Sequence, residues 1–129
     1  MIRFSRLAVP AFVTVLALPL VAGAARLPHL KLKRAFPAAD TTLTTSPDAV
    51  RLWLSEPADL PATKVAVADA AGAPVEVAKL TRGAQREDPV VAKFVANPKD
   101  GKYTVTWKAM SKDGHVVDGK YAFTVKLAK

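Results

Sequence analysis

Cysteine is absent from the 129 residues, which excludes disulfide staples, thiolate nucleophiles, zinc–thiolate sites and iron–sulfur clusters. Histidine is almost as scarce. His29 and His115 are the only two, so chemistry that needs a group titrating near neutrality has two side chains to draw on. No block of like charge stands out: 19 Lys and Arg against 11 Asp and Glu leave a net charge of +8, scattered along the chain. A nucleic-acid binder wants a basic stripe interleaved with exposed aromatics, and with aromatics at 7% that pattern is missing. Neither an internal repeat nor a low-complexity linker marks off a second module.

What is present begins with a leader. Arg3 and Arg6 precede an apolar run from Leu7 to Ala22, interrupted by Pro10 and Pro19 and ending in Ala22-Gly23-Ala24-Ala25. A short basic region, an apolar stretch and small residues of the A-x-A type are the marks of a cleavable secretory signal. A membrane anchor needs about 20 consecutive apolar residues, and two prolines in so short a run argue against one. Residues 1–25 are therefore expected to be a signal peptide and 26–129 a single exported domain, periplasmic and not membrane-embedded after cleavage. Just over 100 residues suffice for one core and not two.

Beyond the leader, short apolar–polar alternations recur between turn signals, the period of half-buried strands. Leu30 and Leu32 form the first inward face, then Val50, Leu52 and Leu54 with Arg51 and Trp53 opposite. Val65 and Val67 lead through Ala71-Gly72 to Val75 and Val77, and Val90 to Val95 is a fifth segment. Tyr103, Val105, Trp107 and Ala109 alternate with lysines and threonines, and Tyr121, Phe123, Val125 and Leu127 repeat the pattern. The expected fold is all-β: an immunoglobulin-like, seven-stranded antiparallel sandwich with Greek-key connections, lacking the disulfide. Trp107 and Tyr121 belong to its core; Trp53 faces outward.

Both histidines fall at strand ends. His29 opens the first strand, and His115 lies in the connection Ser111 to Gly119 between the last two. Asp113 and His115 flank Gly114, so in an extended stretch both side chains project to one side while the glycine lets the backbone bend. Imidazole and carboxylate donors without thiolate suit Cu(II), Zn(II) or Ni(II), and Cu(II) binds tightest of these. Alone, Asp-Gly-His also reads as a hairpin turn with an exposed histidine. Neither Ser55 nor Ser111 has the base and orienting carboxylate of a hydrolytic triad.

The surrounding residues carry more. From Tyr103 to Gly119 the chain reads Y-T-V-T-W-K-A-M-S-K-D-G-H-V-V-D-G, with Phe123 following. This resembles the C-terminal signature of the CopC-type copper-binding family, Y-x-V-x-W-x-A-x-S-x-D-(G or T)-H. His29-Leu-Lys-Leu, Pro37-Ala-Ala-Asp40 and Leu52-Trp-Leu-Ser-Glu-Pro57 are similar to the family's other segments, so the likeness spans nearly the whole mature chain. It implies one Cu(II) per chain, held by His29, Asp113 and His115. In some members a glutamate of the S-E segment lies near the copper; that is Glu56 here, although Ser55-Glu56-Pro57 equally reads as a solvated turn. The family's first histidine is usually the mature N-terminus, whose amine joins the chelate. Here Arg26-Leu27-Pro28 intervenes, and Pro28 has no amide proton to lose. Some relatives carry a methionine-rich Cu(I) loop. With Met110 the one methionine left after cleavage, in a strand where packing is its usual role, no Cu(I) methionine site is expected.

The function these residues imply is a periplasmic Cu(II)-binding protein for copper homeostasis or resistance, not an enzyme. It would carry or buffer one ion for an inner-membrane copper transporter or another periplasmic copper protein. Oxidative polysaccharide-cleaving enzymes also hold copper by two histidines and an N-terminal amine, but this chain lacks the N-terminal histidine and an evident substrate surface. The alternative is a metal-free immunoglobulin-like binding module, favoured if His29 and His115 lie at opposite poles.

Overall fold

The structure, a computed structural model, describes residues 30–129. The expected signal segment, Arg26 to Pro28 and His29 lie outside the described residues. The strands are β1 (Leu32–Phe36), β2 (Thr42–Leu43), β3 (Ala49–Leu54), β4 (Lys64–Ala68), β5 (Pro74–Val75), β6 (Thr81–Arg82), β7 (Val90–Lys93), β8 (Gly101–Met110) and β9 (Val116–Val125). One 3-10 turn, Leu60–Ala62, is the helical piece among the described residues, and no helix there is long and apolar enough to cross a membrane.

Two sheets face each other, β1-β3-β7-β6 and β2-β9-β8-β4-β5. All seven expected strands are present. The two additions, β2 and β6, are two residues each, too short to show a period in sequence. β2 also pairs with β9 in parallel, Thr42 beside Thr124 and Leu43 beside Val125, where only antiparallel pairing is expected from short connections.

The core forms where the alternating faces meet. Tyr103, Val105, Trp107 and Ala109 of β8 and Phe123 and Val125 of β9 close on Val50 and Leu52 of β3 and Val90 and Ala92 of β7, all buried. Tyr103 stacks on its cross-strand partner Phe123, ring centroids 5.4 Å apart, and its hydroxyl donates to the Lys99 carbonyl at 2.8 Å. Burying a side chain such as Phe123 contributes about 2–3 kcal/mol. Gly119 sits directly opposite Trp107; a Cβ there would lie 2.7 Å from the indole, so the absence of a side chain is what lets the tryptophan lie flat on β9.

Three details depart from the sequence expectation. A bulge between Leu32 and Arg34 shifts the register of β1 against β3, so the alternation begun by buried Leu30 does not run through to Phe36, which is exposed. Leu127, expected inside, lies past the end of β9 and is exposed. The connection between the last two strands is also shorter than expected: Val116 to Gly119 belong to β9, leaving a turn of residues 111–115.

Candidate metal centre

The turn is closed by its own backbone. Ser111 N–H donates to the His115 carbonyl at 2.8 Å, and Gly114 N–H donates to the Ser111 carbonyl at 3.0 Å. Gly114 takes φ +87° with open space around it, a left-handed conformation that glycine adopts without strain. Asp113 and His115 are thus brought together by a tight turn, not by the extended stretch their spacing suggested. Asp113 Oδ2 lies 2.9 Å from His115 Nδ1.

Beneath them sits Ser111, 3% exposed. Its hydroxyl donates to Asp113 Oδ1 and accepts from His115 N–H at 3.2 Å, so one buried hydroxyl orients both candidate ligands. That bond first, and the His115 ring second, pull the Asp113 carboxyl down to about 2 from its ordinary 3.8; a carboxylate that receives hydrogen bonds is favoured in its charged form. Asp113 is therefore an anion at any pH where a histidine is neutral. Sequence reasoning rejects Ser111 as a nucleophile and assigns it no other role; the S-x-D-x-H spacing is the available sign of its actual place.

The strand β3 brings up the other wall. Beyond Leu54 the chain turns through Ser55-Glu56-Pro57, and Asp59 N–H donates to the Met110 carbonyl at 2.8 Å, tying this loop to the end of β8. Arg82 Nη1 donates to the Ala58 carbonyl at 2.6 Å. Glu56 and Asp113 line one open cleft of about 560 Å³ together with Arg82, Arg86 and Lys112. Glu56 thus shares a cleft with Asp113. Among the described residues no three His, Cys, Asp or Glu side chains converge to hold a metal, and the fourth expected residue, His29, lies outside them.

The described chain starts beside this pole. Leu30 is 2% exposed, and Lys31 is fixed twice to Ser55: its N–H donates to Ser55 Oγ at 2.8 Å, and its carbonyl accepts from Ser55 N–H at 2.7 Å. The backbone at Lys31 is therefore tied to Ser55, the neighbour of Glu56.

Known proteins share this arrangement of strands and sequence. The family model described as the CopC domain matches residues 32–126. The copper resistance protein C of Escherichia coli is 32% identical over 105 residues, covering 76% of this chain and 82% of that protein. The protein YobA of Escherichia coli (strain K12) is 29% identical over 98 residues, covering 76% and 79%. Among solved structures, CopC from Methylosinus trichosporium OB3b superposes with a TM-score of 0.71 at 27% identity, over 78% of this chain and 97% of that one. PcoC, a methionine-rich copper resistance protein from Escherichia coli, gives 0.68 at 29% identity, over 76% and 99%. With a family model matching most of its length, the chain belongs to the CopC family.

Proposed function

We propose that this protein binds one Cu(II) ion in the periplasm, through His29, Asp113 and His115 with Glu56 alongside, and carries or buffers it for a membrane or periplasmic copper partner. The observation that carries this reading is the Asp113–His115 pair on its turn, in a chain of the CopC family. Two donors 2.9 Å apart match the edge of a square-planar site with metal–ligand bonds of about 2.0–2.1 Å, the geometry Cu(II) prefers. In the metal-free protein a proton occupies that edge; copper would replace it. The tether of Lys31 to Ser55 supports placing His29 at the same pole. Side chains of Asp113 and His115 that are 49% and 58% exposed suit an ion that must be released again. Residues 1–25 act as the export signal, and nothing in this role requires catalysis.

The test is a Cu(II) competition titration, against a chelator of known strength, on the exported protein and its His115→Ala, Asp113→Ala and His29→Ala variants. One-to-one binding weakened in each variant is the expected result. Binding unaffected by His29→Ala would remove that ligand, and no binding in the native protein would leave a metal-free sandwich module. Mass spectrometry of the mature N-terminus decides whether a free amine at His29 can join the chelate.

A further inference from the structure

The cleft beside the candidate metal centre does not end there. Arg86 lines it together with Arg82, Lys112, Glu56 and Asp113, and also lines a second cleft of about 490 Å³ with Lys33, Arg34, Trp53 and Glu87. The two hollows meet at Arg86, flank the Ser55–Pro57 segment and together carry five cations against three carboxylates. Trp53, part-exposed, lines the second hollow, with the Arg34 guanidinium carbon 3.8 Å from the ring centroid. Tryptophan and arginine are the residue types that dominate binding energy at protein interfaces. An arginine stacked on an aromatic ring is also held ready, so less freedom is lost when it meets a carboxylate.

We infer that this surface is the docking site for a carboxylate-rich segment of a partner protein. The net positive charge selects an acidic partner, and interspersed Glu56, Glu87 and Asp113 would fix its register by repelling misplaced carboxylates. Concavity favours projecting side chains over a flat bilayer. A second basic surface, the outer face of β4-β8-β9 with Lys64, Lys102, Lys108 and Lys120, lacks the arginine–tryptophan stack and serves as the internal control. The docking does not require bound copper; only its value for copper transfer rests on the function proposed above.

The experiment titrates a fluorescein-labelled oligoglutamate peptide into the copper-free native protein at low ionic strength, with phosphatidylglycerol vesicles in parallel. Arg34→Glu/Arg86→Glu is compared with the control pair Lys102→Glu/Lys120→Glu, which changes net charge equally. The first pair should weaken peptide binding by about tenfold or more and the control by about threefold or less, as two reversed contacts outweigh a general charge effect. Peptide binding should also shift the Trp53 emission, an effect absent in Trp53→Phe. Equal weakening by both pairs, no peptide binding, or binding to vesicles alone would overturn the proposal. Should the glutamate pair fail to fold, Arg34→Gln/Arg86→Gln is read the same way, with a smaller expected loss. Loss of copper binding with intact docking, or the reverse, separates this surface from the metal centre.

Discussion

Ser111→Ala isolates the part of the candidate centre that holds the ligands without being one. The alanine keeps the backbone bonds from Ser111 N to His115 O and from Gly114 N to Ser111 O, so the turn stays closed. It loses the hydroxyl that donates to Asp113 Oδ1 and accepts from His115 N–H. Groups that orient metal ligands commonly contribute ten- to hundredfold in affinity; with the turn intact, the lower end, about tenfold weaker Cu(II) binding, is expected. Competition titration measures it. The carboxyl itself reports separately. Asp113 titrates at about 2 chiefly because of this hydroxyl, so in the variant its midpoint, followed by carboxyl NMR, should rise toward the ordinary 3.8. Because the folded-state value is depressed, the stabilisation it confers is present above the unfolded value and is lost as pH falls through about 2. Ser111→Thr, which keeps the hydroxyl, should restore both properties. Native copper affinity in Ser111→Ala, or an unmoved Asp113 titration, would refute the reasoning.

Three further outcomes follow from the same geometry. Copper affinity should fall as pH is lowered from about 7 to about 5, because imidazoles must be neutral to bind metal while Asp113 remains ionised; an affinity flat over that range by competition titration would exclude the histidines. Gly119→Ala places a Cβ 2.7 Å from the Trp107 indole and should cost about 1–3 kcal/mol, read as a Tm lower by about 4–8 °C per kcal/mol; an unchanged Tm would show that Trp107 can move aside. The Tyr121 hydroxyl is buried without a hydrogen-bond partner among the described residues, and burial pushes its titration up to about 12. Tyr121→Phe should therefore be neutral or stabilising by about 1 kcal/mol in urea unfolding, and a clear destabilisation would mean that the hydroxyl has a partner after all.

Alternation made the core legible wherever a strand was long enough to show it. Tyr103, Val105, Trp107 and Ala109 are buried as the period of two demands, because each step along β8 reverses the side chain. The misses have local causes. A bulge in β1 breaks the period after Leu32, two-residue strands carry no period at all, and Leu127 lies just past the last ladder pair. At the site, Asp113 and His115 were legible as residues but not as a geometry: their meeting depends on the left-handed Gly114. The cleft shared with Glu56 depends on the bond from Asp59 to Met110, a contact between distant segments that no spacing rule encodes. Arg34 and Trp53, cross-strand partners in β1 and β3, were unrelated residues until the register joined them.

That same register bears on the one expected ligand outside the described residues. Lys31 is bonded to Ser55 through both its N–H and its carbonyl, so the chain just after His29 is held where the Glu56 loop begins. Ser55→Ala removes the side-chain half of this tether and keeps the backbone half. If His29 ligates copper from this pole, loosening its attachment should weaken binding, by about threefold for one exposed hydrogen bond, less than His29→Ala itself. The informative comparison is the double variant. Adding Ser55→Ala to His29→Ala should then cost nothing more, because the tether acts only through the histidine, whereas two independent effects would add. Full additivity in the competition titration would mean that Ser55 acts on the site by another route, through Glu56 and the cleft wall, and that His29 is not positioned by this contact.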